Sequence, residues 1–145
     1  MASVYVSSVI DAPCDKVWDR VRDFNALPVW HPRIRDSRIE DSLPADKIGC
    51  IRNFHLQSGD NLREQLLGLS DFDKFYTYTI VESPMPLTDY IATLRLTPVT
   101  DGDRCFIEWS ADFQCAAAVE ADLTTGISKD VFQGGFDALK RHFGS

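Results

Sequence analysis

Apolar positions along the chain recur with a period of two or of about 3.6, and each change of period marks a change of element. The stretch "SVYVSSVI" alternates and predicts a first strand. Pro13 then suits an initial helical position, and Val17, Trp18 and Val21 fall on one face of a helix running to about Phe24. "NALPVWHPR" carries two prolines four residues apart and holds at most a short, broken helix. Six strand-like segments follow between turn signals: Ile34 to Asp41, Ile48 to Leu56, Asn61 to Ser70, Phe75 to Glu82, Leu87 to Pro98 and Arg104 to Cys115. From Val119 to Phe143 the period lengthens again. Val119, Leu123, Ile127 and Val131, then Phe132, Phe136, Leu139 and Phe143, mark one long amphipathic helix.

Two hairpins fix register. In "IRNFHLQSGDNLREQLL" the turn is Gln57-Ser58-Gly59, with Gly59 able to take the left-handed conformation of a bulged hairpin. Pairing Leu56 with Asp60 sets Phe54 opposite Leu62 and Arg52 opposite Glu64. Cys50, Arg52, Phe54, Leu62, Glu64 and Leu66 then share one mostly apolar face. In "TPVTDGDRCFIEW" the Asp101-Gly102 pair predicts a two-residue type I′ turn. That register sets Leu96 opposite Ile107, Leu94 opposite Trp109, Ala92 opposite Ala111 and Tyr90 opposite Phe113. All eight are apolar or aromatic, while Arg95–Glu108 and Thr93–Ser110 fall on the other face.

The predicted fold class is α+β: a strongly curved antiparallel sheet of seven strands, two short helices between its first two strands, and a long terminal helix across the concave face. That helix is the one element long enough to cover the face, at roughly 1.5 Å per residue. Gly134-Gly135 inside it removes two side chains, which permits either close contact with the sheet or a larger pocket.

Composition narrows the partners. The 145 residues suit one domain, spanning 1–145, with a sizeable core. A net charge of −7 disfavours nucleic acid or an anionic membrane. No apolar run reaches the length of a membrane span, and "MASVYVSSVIDAPCD" lacks the pattern of a signal peptide, so a soluble, cytoplasmic protein is expected, as monomer or homodimer. The four cysteines, Cys14, Cys50, Cys105 and Cys115, show no close paired spacing and are expected as reduced thiols.

The run "IDAPCDKVW", the "WHP" of Trp30 to Pro32, the arginine in "GCIRNF", the glutamate in "REQL", "YTYTIVESPMPLTDY", "IEWSADF" and the terminal "GGFDALK" together resemble the bacterial polyketide cyclase/dehydrase-like proteins. These belong to the SRPBCC superfamily, with the START lipid-transfer domains and birch-pollen-allergen-like proteins. The resemblance spans essentially the whole chain. It implies a helix-grip fold with a deep apolar cavity between sheet and terminal helix. Carried over by position, it implies a lining of Trp30, His31, Arg52, Phe54, Leu62, Glu64, Tyr78, Tyr90, Leu94, Trp109 and Phe113. From the terminal helix it adds Ile127, Val131 and Gly135. The inward direction of Tyr78 rests on the resemblance and on the alternation of Tyr76, Tyr78 and Ile80.

A search for catalytic constellations returns little. The three histidines, His31, His55 and His142, have no metal-ligand spacing, and neither a nucleophile motif nor a phosphate-binding loop is present. No metal or cofactor is expected. His31 is either a general base at the cavity mouth or a group that packs the turn. An arginine on an apolar face cannot discharge and requires a carboxylate, which Glu64 supplies. The pair either satisfies itself or presents guanidinium N–H groups to a ligand carbonyl, enol or carboxylate. The first function reading is binding or carriage of a small hydrophobic molecule with one polar end. The second is a cyclase, aromatase or dehydrase using Arg52 with His31, Glu64 or Tyr78. A protein-partner module comes third, and the missing acid–base constellation places binding first.

Overall fold

The computed structural model describes residues 1–144. The chain runs β1 (Ala2–Ile10), α1 (Cys14–Val21), α2 (Leu27–Trp30), β2 (Ile34–Ile39), β3 (Ile51–Leu56), β4 (Asn61–Ser70), β5 (Phe75–Glu82), β6 (Leu87–Val99), β7 (Arg104–Cys115), α3 (Ala117–Thr125) and α4 (Gly134–His142). A π-helical stretch, Gly126–Gln133, joins α3 to α4 without a break. The strands form one antiparallel sheet in the order β1-β7-β6-β5-β4-β3-β2. Register shifts between β2 and β3, β4 and β5, and β6 and β7 mark bulges, which bend a sheet and increase its twist.

The β3–β4 hairpin has the register that its turn dictates. Arg52 pairs with Glu64 and Phe54 with Leu62, Leu56 N–H donates to the Asp60 carbonyl at 2.9 Å, and Gly59 sits at φ +98°. The β6–β7 hairpin keeps its predicted pairs Leu96–Ile107, Leu94–Trp109 and Ala92–Ala111. Beyond a bulge near Asp89, the Tyr90 and Phe113 rings still stack at 6.0 Å. Its turn is not type I′, however. The left-handed residues are Gly102 (φ +86°) and Asp103 (φ +52°) rather than Asp101 and Gly102. Aspartate tolerates that conformation, so the turn shifts by one residue while Val99–Arg104 preserves the register.

Two strands are shorter than their alternation suggests. β2 ends at Ile39 because Asp41 turns left-handed (φ +59°) in a 3-10 turn, Glu40–Ser42. β3 begins at Ile51 because Gly49 (φ +95°) redirects the chain, although the Cys50 carbonyl still accepts from Leu66 N–H at 2.9 Å. The four cysteines are free thiols, yet the Sγ atoms of Cys14 and Cys105 lie 2.9 Å apart in the core, a proximity that their sequence spacing hides.

The terminal helix explains its own irregularity. The stripe Val119, Leu123, Ile127, Val131 is one residue out of phase with Phe132, Phe136, Leu139, Phe143. A regular α-helix would present only one of them. The wider π turns, with i→i+5 bonding, absorb the extra residue and allow both Ile127 and Phe132 to be buried. Phe132 stacks on Trp109 of β7 at 4.4 Å. At the start of α4 the helix meets the sheet and α2 at close range. A Cβ on Gly135 would stand 3.0 Å from Trp30, 3.1 Å from His31 and 3.2 Å from Trp109, whereas one on Gly134 would meet only the Lys129 carbonyl, at 3.6 Å. Gly135 therefore serves close contact, not pocket volume.

The two adjacent glycines should respond oppositely to alanine. Gly134→Ala should stabilise by up to about 1 kcal/mol, the helix-propensity gain. Gly135→Ala should destabilise despite the same gain, because overpacking costs about 1–3 kcal/mol. Paired urea or thermal unfolding curves check this, and equal effects would contradict the close contact.

Candidate functional site

A cavity of about 220 Å³ lies between the sheet and the helix running from α3 through the π stretch. Its wall is Phe54, Leu62, Tyr78, Ile80, Tyr90 and Trp109 from β3 to β7, Leu27 and Ile34 from α2 and β2, and Leu123, Ile127 and Val131 from the helix. Pro84 and Met85 of the β5–β6 loop, with His31, Arg33, Arg52, Leu56, Asp60, Glu64, Asp122, Gly126 and Asp130, complete the lining.

Ten of the residues that the resemblance implied reach this wall: His31, Arg52, Phe54, Leu62, Glu64, Tyr78, Tyr90, Trp109, Ile127 and Val131. Four do not. Trp30, Leu94, Phe113 and Gly135 lie on the inward side of their elements but are packed into the surrounding core: Trp30 against Trp109, Phe113 against Tyr90, Gly135 against Trp30, His31 and Trp109, and Leu94 fully buried. Strand alternation says which face a residue occupies and not whether a void or a neighbour stands before it. The loop and α3 residues of the lining were missed for a different reason. They obey no strand period, and Asp122 and Asp130 read as solvated helix positions.

The wall has one buried ion pair. Arg52 is 1% exposed and Glu64 7%. Arg52 Nε donates to Glu64 Oε1 at 2.9 Å, Nη2 lies 2.7 Å from the same oxygen, and Nη1 donates to the Phe24 carbonyl at 3.1 Å. The guanidinium carbon sits 4.0 Å from the centroid of the Phe24 ring and 4.7 Å from that of Tyr78, within cation–π range. Burial pulls the Arg52 pKa down, but Glu64, Tyr76 and Tyr78 together more than restore the value, so the net shift is upward. Burial pushes the Glu64 carboxyl up, and Arg52 pulls it partly back.

The other candidate groups are poorly placed for proton transfer. The His31 ring is engaged at both nitrogens: Nε2 donates to the Val131 carbonyl at 2.7 Å, and Nδ1 accepts from Arg33 N–H at 3.3 Å. This pattern describes the neutral ring with its proton on Nε2. Burial lowers the His31 pKa below 6.5, against the opposing pull of the Val131 carbonyl. Tyr78 accepts from Trp109 Nε1–H at 3.1 Å. Burial raises the pKa values of both Tyr78 and Tyr90, so each phenol keeps its proton. Among the described residues no group of three His, Cys, Asp or Glu side chains could hold a metal ion, and no helix is long and apolar enough to cross a membrane.

A sequence profile of the family described as polyketide cyclase / dehydrase and lipid transport matches residues 1–144. Among solved structures, a solution structure from Thermobifida fusca is similar at a TM-score of 0.90 and 29% identity, over 99% of this chain and 94% of that one. The protein XoxI from Bacillus cereus is similar at a TM-score of 0.87 and 27% identity, over 99% of this chain and 96% of that one. No curated protein matches the chain.

Two measurements test the site. Removing either partner of the buried pair strands the other, so Arg52→Met and Glu64→Gln should each destabilise by about 3 kcal/mol. The double variant should recover much of that, giving a coupling well above the roughly 0–1 kcal/mol of an exposed pair. Additive losses below about 1 kcal/mol would place both groups in solvent.

For His31 the folded pKa lies below the unfolded value. Its contribution to stability is therefore complete above 6.5 and is lost as pH falls through the depressed folded value. Ring nitrogen shifts should report the neutral tautomer with the proton on Nε2, persisting below pH 6.5. A ring already half protonated at or above that pH would contradict the buried neutral imidazole.

Proposed function

Because the chain belongs to the polyketide cyclase/dehydrase and lipid transport family, which its match over residues 1–144 establishes, we propose that it binds or carries a small hydrophobic molecule with one polar end in the cavity between sheet and terminal helix. One observation carries this reading: a cavity of about 220 Å³ whose aromatic and aliphatic wall contains a single buried ion pair. Ligand sites commonly combine an apolar wall with a few placed polar groups. A core needing only stability does as well with apolar residues there.

Size narrows the ligand. An apolar cavity of about 150 Å³ holds benzene, so the present one suits a molecule of about two fused rings. Cyclase-like chemistry in the same cavity is less favoured, since His31 is engaged at both nitrogens and the two phenols keep their protons. Binding without turnover needs none of these groups to move a proton.

Naphthalene is a suitable neutral probe. It should bind saturably at about one per chain and change the emission of Trp109, which lines the cavity while Trp18 and Trp30 do not. The response should vanish in Trp109→Phe, with binding still detectable by calorimetry. Absence of saturable binding would remove the carrier reading and favour a protein-partner module.

A further inference from the structure

The buried pair is asymmetric as seen from the cavity. Both contacts of the guanidinium converge on Glu64 Oε1, and Oε2 takes part in none of the pair's hydrogen bonds. Arg52 meanwhile is covered. Nη1 is occupied by the Phe24 carbonyl, the Phe24 and Tyr78 rings lie at 4.0 and 4.7 Å from its central carbon, and 1% of its side chain is exposed against 7% for Glu64. Of the pair's two groups, the one that is more exposed and has a whole atom outside the pair's hydrogen bonds is thus the acceptor, Glu64. A carboxylate oxygen offers about two lone-pair sites to a donor.

The exposed lining carries the same sign. Asp60, Asp122 and Asp130 are exposed residues of the lining, and Arg33, also exposed, is its one charged basic residue outside the buried pair. An entering anion would shed its hydration, pass three carboxylates and end beside a fourth. A neutral donor meets no such barrier. A hydroxyl also leaves the charge balance of the Arg52–Glu64 pair unchanged, whereas an ammonium would add an uncompensated positive charge beside a guanidinium.

Resting on the carrier reading, we propose that the polar end of the ligand is a neutral hydrogen-bond donor, a phenolic or alcoholic hydroxyl accepted by Glu64 Oε2, and that the cavity rejects carboxylates. This reverses the expectation that Arg52 presents its N–H groups to a ligand carbonyl or carboxylate. Arg52 is then a positioning residue, holding Glu64 through Oε1 so that Oε2 faces the cavity.

The test is a calorimetric comparison of four probes of nearly equal size on the unmodified protein at neutral pH: naphthalene, 2-naphthol, 2-methoxynaphthalene and 2-naphthoate. The methoxy compound keeps the oxygen as acceptor and lacks the donor. The expected order places 2-naphthol about ten- to a hundredfold tighter than 2-methoxynaphthalene, the range for a hydrogen bond to a charged group. It places 2-naphthoate weakest of the four. In Arg52→Met/Glu64→Gln, shown to be folded by its unfolding transition, the preference for the naphthol over the methoxy compound should shrink at least several-fold. Equal binding of naphthol and methoxy compound, or naphthoate binding as tightly as naphthol, would overturn the inference and leave the carrier reading standing. Failure of all four probes, naphthalene included, would overturn both.

Discussion

A guanidinium that cannot lose its proton is enclosed in the apolar interior of this sheet, and much of the architecture around the cavity answers to it. Arg52 needs a carboxylate across the strand pair, and Glu64 stands there because the Gln57-Ser58-Gly59 turn sets the β3–β4 register. A slip of one residue between the strands would put the two charges on opposite faces of the sheet. The guanidinium also takes the Phe24 carbonyl, which ties the segment after α1 to the sheet floor, and lies against the Phe24 and Tyr78 rings. Such a pair adds little net stability, because desolvation offsets attraction. Its consequence is geometric: β3, β4, β5 and the α1–α2 connection meet at one point.

The terminal helix satisfies a second constraint at the other wall. Its two apolar stripes differ by one residue, and the π stretch reconciles them so that Ile127 faces the cavity and Phe132 stacks on Trp109. The same stretch supplies the Val131 carbonyl to His31. One turn later Gly135 lets the helix backbone touch Trp30, His31 and Trp109. Close packing at this end and open space beside Ile127 and Val131 are two parts of one helix placement. His31 fastens α2 to the helix at the boundary between them.

These constraints produce a site with a mixed aromatic and aliphatic wall, an anchored carboxylate and exposed acidic residues in its lining. That combination supports the proposed binding role, because His31 and the two tyrosines are poorly set for proton transfer. Moving a proton at neutral pH requires a group with a suitable pKa and a free atom. His31 has neither nitrogen free, and burial drives the tyrosine pKa values away from neutrality. Accepting a hydrogen bond requires only an oxygen held in place, which Glu64 provides.

Local chemistry in the chain determined the register of both hairpins, the inner faces of the strands and the pairing of Arg52 with Glu64. Side-chain alternation and turn conformation involve neighbours a few residues apart, and both are readable in the letters. Even the misplaced type I′ turn at Asp101-Gly102 left its register intact, because Val99 and Arg104 pair in the same ladder. The inward direction of Tyr78 was legible only through alternation and resemblance, since the turn before its strand fixes no register. What required the tertiary structure was depth. Leu94 and Trp109 are cross-strand neighbours on one inner face, yet only Trp109 borders the cavity. Gly135, expected at the wall, lies where the packing is closest. The Cys14–Cys105 contact and the three exposed aspartates of the lining likewise join segments far apart in sequence. A void exists only where sheet curvature, helix phase and loop position together leave volume unfilled, and no stretch of sequence encodes that sum by itself.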